Sequence, residues 1–145
     1  MGRMNVGLLG LVVVVVLVVA GLAFIRLAPS DPERWHRPLK VSADKTFKSG
    51  VTRRLPAGPE ALARFDAIVR ATPRTRVLAG SVGEGLITYV TRSRGMGFPD
   101  YTTVQQAGDV LEIYARSRFG RSDLGVNKAR VEGWLADFAQ IKAGG

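Results

Sequence analysis

Residues 110–143, VLEIYARSRFGRSDLGVNKARVEGWLADFAQIKA, change their hydrophobic period part-way along, and that change decides the fold. Over 110–119 the pattern alternates. Leu111, Ile113, Ala115 and Phe119 point one way, and Glu112, Tyr114, Arg116 and Arg118 the other, the two-residue repeat of a strand with one buried face. Over 127–143, Val131, Trp134, Leu135, Phe138 and Ile141 recur at helical spacing, which predicts a helix laying one stripe on a sheet. Gly120 and Gly125 flank the tight turn between the two. Ser122 or Asp123 can satisfy its amides, and Asn127 is placed to cap the first amides of the helix.

Upstream, strand-like runs at 76–82, 86–93 and 101–106 are separated by turns short enough for hairpins at Gly83-Glu84-Gly85 and Gly108-Asp109, so the sheet is expected to be antiparallel. A helix is predicted over 59–71: Pro59 suits its first position, Glu60 its first turn, and Thr72-Pro73 ends it. Leu62, Phe65, Ile68 and Val69 share its apolar face. Helix, four strands and helix make a two-layer α+β domain over 59–145, with both helices on one sheet face.

Residues 28–58 are rich in Pro, Ser, Gly, Lys and Arg with weak periodicity, and read as a basic tether carrying at most an edge strand near 39–41 or 47–51. His36, the only histidine, is expected to be solvated there. Trp35 either lies at a membrane interface or packs on the domain. Ahead of the tether, residues 6–25 hold no charged or strongly polar side chain. At about 1.5 Å per residue they span the roughly 30 Å of a hydrocarbon core. A cleaved signal peptide is the rival reading, since Arg3 and Gly21-Leu22-Ala23 supply its charged start and small residues, but the apolar run outlasts a signal core. Residues 1–27 are therefore read as a retained anchor.

The chain carries 21 basic and 12 acidic residues, a formal +9. With Arg3 and Arg26 set aside, the remainder holds 19 against 12, or +7, dispersed along the sequence. Such a surface attracts anionic lipid, acidic partners or nucleic acid. Beside a membrane anchor, lipid or a membrane-protein partner ranks above nucleic acid. The absence of cysteine removes disulfides, thiolate nucleophiles and zinc-cysteine sites. A single histidine leaves a His-based triad or a transition-metal site without partners, and Gly80, Gly83 and Gly85 fall in a hairpin rather than before a helix, so no dinucleotide fingerprint is present. No metal or cofactor is expected.

Lys128 and Arg130 would sit in the first turn of the last helix, where the macrodipole disfavours cations. With Arg116, Arg118, Arg121 and the helix amides near Asn127, they are candidates for an anion site taking a phosphate or carboxylate. The competing reading is internal neutralisation by Asp123, Glu132 or Asp100. Asp100, Ser122 and Asp123 are either turn residues or members of a polar site.

The string 116–130, RSRFGRSDLGVNKAR, resembles the signature of the family catalogued as domain of unknown function 1499, in which a strand ending Ser-Arg-x-Gly leads through Ser-Asp-x-Gly-x-Asn into a helix with a basic residue three positions on. Phe98-Pro99-Asp100-Tyr101 resembles the family's Phe-x-Asp segment, and the likeness covers about 59–142. Lys48-Ser49-Gly50-Val51-Thr52 is only a partial counterpart of the family's Pro-Asn-x-Val-Ser segment. The resemblance implies an envelope or organelle-lumen protein with a membrane segment and implies no activity. Positive charges after the anchor outnumber those before it, which favours the domain inside. The resemblance, with Arg3 ahead of the apolar run, favours a single-pass protein of a bacterial inner membrane with its domain in the periplasm. Two functions follow as expectations: a non-enzymatic binding or assembly module whose basic surface meets anionic lipid or a membrane-protein partner, or an enzyme acting on an anionic substrate at the membrane, with an aspartate as acid or base.

Overall fold

The alternating run becomes a strand, β6, over Val110–Ser117, and the helical stripe becomes a helix, α4, over Val126–Ala143. A computed structural model describes residues 5–144. Before these two elements come α1 (Val6–Leu27), α2 (Pro32–Trp35), β1 (Lys45–Phe47), β2 (Gly50–Pro56), α3 (Ala61–Arg70), β3 (Thr75–Ser81), β4 (Leu86–Arg92) and β5 (Pro99–Ala107). The sheet has six strands rather than four, in the order β1-β2-β6-β5-β4-β3, and every neighbouring pair is antiparallel. The extra strands come from the segment expected to be a tether. Their signal is weak because Arg53 interrupts the inward series Val51, Arg53, Leu55. Its guanidinium escapes the core by donating to the Lys45 and Thr52 carbonyls and to Glu132.

Both helices lie on one face. α4 packs over β2 and β6, and α3 over β3, β5 and β6. Phe65 meets Trp134 and Phe138 edge-on, with centroids 6.2 and 5.9 Å apart, above Val51, Ile87, Tyr89, Val104, Leu111, Ile113 and Ala115. The predicted helical stripe needs one correction. Ile141 is 49% exposed, because α4 continues past Phe138, its last core side chain.

The opposite face is covered by residues 28–41, which form a strap rather than a free tether. Trp35 stacks on Tyr101 at 4.0 Å and 13°. Ser30 Oγ lies 2.8 Å from Tyr101 Oη, and the Leu39 amide donates to Gln105. His36 is half-buried, not solvated, with Nδ1 2.9 Å from Thr88 Oγ1. Gly80, in the irregular part of β3, leaves room for it: a Cβ there would stand 2.6 Å from the His36 ring. α1 is different in kind. None of its residues is buried, and its mean hydropathy of 3.2 makes it long and apolar enough to cross a membrane.

Candidate functional site

Strand alternation separates the residues expected to form one anion site. Arg116 and Arg118 emerge on the strap face, whereas Asp100, Asn127 and Arg130 lie on the helix face. Arg130 Nη1 donates to Asp100 Oδ2 at 3.1 Å and to Asn127 Oδ1 at 3.1 Å. Asn127 Nδ2 donates onward to Ser117 Oγ and Asp123 Oδ2. Asn127 does not cap α4 as expected. It is fully buried one position inside the helix, and the Asp123 carboxylate accepts the Gly125 and Asn127 amides at 2.9 and 3.1 Å. A carboxylate at this end also suits the helix dipole.

Lys128 pairs with Glu132 at 3.0 Å, and Arg53 reaches the same carboxylate at 3.1 Å. The hydrogen bonds from Lys128 and then Arg53 hold the Glu132 carboxyl below its ordinary range. Arg121 and Ser122 are exposed in the turn, where Ser122 Oγ accepts the Leu124 amide. Asp100 and Asp123 do line a common cleft with Ile25, Phe98, Phe119 and Leu124, but neither Arg116 nor Arg118 reaches it.

Arg116 and Arg118 clamp the strap. Arg116 donates to the Trp35 carbonyl at 2.6 Å, the Tyr114 carbonyl at 3.1 Å and Thr103 Oγ1 at 2.8 Å, and Arg118 to the Pro29 carbonyl at 2.8 Å. All these acceptors are uncharged. Burial pulls the Arg116 guanidinium down to about 10, still protonated at neutral pH.

A second cluster of cations escaped the sequence reading. Arg26, Arg74, Arg76 and Arg92 line a cleft of about 460 Å³ against the end of α1, with no acidic side chain from the described residues among its walls. Backbone carbonyls hold three of the guanidiniums: Arg26 on Gly95 at 3.1 Å, Arg74 on Arg92 at 3.1 Å, and Arg92 on Gly97 at 2.8 Å. Arg74 is kept there at φ 56°, a left-handed conformation that costs a non-glycine residue about 1 kcal/mol. The signal for this cluster is the β3–β4 register, which pairs Thr75 with Thr91 and Arg76 with Val90, and not any local motif. Among the described residues, no group of three or more His, Cys, Asp or Glu is arranged to hold a metal.

The model of the family described as protein of unknown function (DUF1499) matches residues 24–138. The chain belongs to the DUF1499 family. The match starts in the last turns of α1 and takes in the strap, β1 and β2, so the family resemblance reaches well upstream of residue 59. A comparison with curated proteins gave no match.

Proposed function

We propose that this DUF1499 protein is a single-pass membrane protein whose domain rests on the bilayer as a non-enzymatic binding module. The cleft of Arg26, Arg74, Arg76 and Arg92 receives the phosphate of an anionic lipid headgroup. One observation carries this reading: the basic residue in the last turn of the apolar helix is itself a wall of a cleft with three further arginines and no carboxylate. Four like charges, three of them resting on neutral carbonyls, repel one another and attract an anion. Their position beside α1 makes the headgroup layer the nearest source of one. Each basic residue near an anionic surface contributes about 1 kcal/mol.

The 22 residues of α1, at about 1.5 Å each, exceed the hydrocarbon thickness slightly and bring Arg26 to headgroup level. The apolar run continues through Phe24 and Ile25 beyond Gly21–Ala23 and outlasts a usual signal core, which supports a retained anchor over a cleaved signal. Leu124, 92% exposed and held at φ 53°, lines a cleft with Ile25 and Phe119, and the Phe119 ring meets that of Phe24. In this reading Leu124 and Phe24 enter the interfacial layer. The periplasmic placement in a bacterial inner membrane rests on the family resemblance and on Arg3 ahead of the apolar run. For the enzymatic alternative, Asp100 and Asp123 are the expected acid or base, and both are engaged, by Arg130 and by the α4 amides.

The test is native mass spectrometry of the full chain released from micelles with equal phosphatidylglycerol and phosphatidylcholine. The expected result is a preference for the anionic lipid that falls about tenfold in Arg74→Ala/Arg76→Ala. Equal retention of both lipids, or an unchanged preference in the variant, would contradict the proposal.

A further inference from the structure

A second cationic opening lies elsewhere. Between the strap and the β1-β2-β6 side of the sheet is a cleft of about 570 Å³, within the size range of small-molecule sites. Its walls include Trp35, Phe47 and Tyr114, and five cations: Arg34, Arg37, Lys40, Lys45 and Arg116. Among the described residues, no acidic side chain lines it. None of the five cations forms an ion pair among the described residues.

Arg116 is the most telling of them. Arg116 is half-buried, and a guanidinium partly withdrawn from water ordinarily gains a carboxylate partner. Arg116 meets only two carbonyls and a hydroxyl, between the rings of Tyr114 at 4.7 Å and Trp35 at 5.5 Å. Its Nη atoms make all three bonds, which leaves Nε without a protein acceptor among the described residues. The strap is also laid so that its own cations, Arg34, Arg37 and Lys40, rim the cleft instead of turning toward an acidic neighbour.

We infer that this cleft is a binding site for a small soluble anion, a phosphate or carboxylate on a flat apolar body, with the acid group toward Arg116 and the body against Trp35 and Tyr114. The site is separate from the arginine cleft beside α1 and shares no lining residue with it.

The test uses the full chain in neutral maltoside micelles. Phenyl phosphate and inorganic phosphate are titrated while the fluorescence of Trp35 is followed, Trp134 being buried in the helix-side core. Phenyl phosphate should give a saturable change at a concentration about tenfold below that for inorganic phosphate, since the aromatic body adds contact area. Arg37→Ser/Lys40→Ser/Lys45→Ser replaces exposed residues only. It should weaken phenyl phosphate binding about tenfold with an unchanged unfolding midpoint, while Arg74→Ala/Arg76→Ala should bind it normally. The inference is overturned by the lack of a saturable response, by an equal response in the triple variant, or by a loss that follows Arg74 and Arg76 instead.

Discussion

Arg130 and Lys128 are two residues apart in sequence, yet they sit in different dielectric surroundings. The Arg130 and Asp100 side chains are 13% and 10% exposed, so truncating one strands the other as a buried charge. Lys128 and Glu132 are nearly half exposed and hydrated in either state. Arg130→Ala should therefore lower the unfolding free energy by about 3 kcal/mol, and Lys128→Ala by no more than about 0.5 kcal/mol, both read from urea denaturation. Glu132 supplies a pH test. Its carboxyl is held below the usual range, so whatever it adds to stability is present above that range and fades as pH falls through its folded pKa. An NMR titration should find its midpoint below that of an ordinary glutamate. Lys128→Ala should raise the midpoint further than Arg53→Ala, because the Lys128 hydrogen bond is the larger cause. Sequence could place Asp100, Asp123 and Glu132 as alternative partners for these cations. It could not divide them, because the division depends on how α4 is laid across the sheet, which brings Arg130 to Asp100 on β5 and leaves Lys128 beside Glu132 on the helix itself.

At the scale of elements, β3 to β6 were legible as short runs bounded by turn residues, with β6 alternating best, and α3 and α4 by their apolar stripes. The strap was not. Its partners on Arg116 and Arg118 are main-chain carbonyls, and a carbonyl acceptor leaves no trace in residue type. β2 was obscured by Arg53 on its inward face. Trp35 sits at the middle of the strap's attachment: its ring stacks on Tyr101 and its carbonyl is held by Arg116. Trp35→Ala should destabilise the domain by about 2 kcal/mol and open residues 28–41 to limited proteolysis before the sheet unfolds. A digestion pattern unchanged from wild type would mean that the stack does not hold the strap down.

For the whole molecule, the antiparallel order puts the β3 start, the β4–β5 loop and the β6 end at the α1 side of the sheet, and the β3–β4 hairpin at the far side. The apolar helix was legible from composition alone. The cleft beside it was not, since Arg26, Arg74, Arg76 and Arg92 come from α1, the turn before β3, β3 and β4 and meet only after the hairpin sets its register. The proposed seating of the domain on the bilayer fixes which residues are wet. Because the chain has no cysteine, Leu124→Cys and Glu84→Cys each accept a single nitroxide label. The measurement is the depth of both labels, by power saturation with oxygen and a polar nickel chelate, in the full chain reconstituted into phosphatidylglycerol-containing vesicles. The account predicts a label at position 124 within the acyl boundary, shielded from the chelate, and one at position 84 in bulk water. Equal exposure of the two labels to the chelate would contradict it.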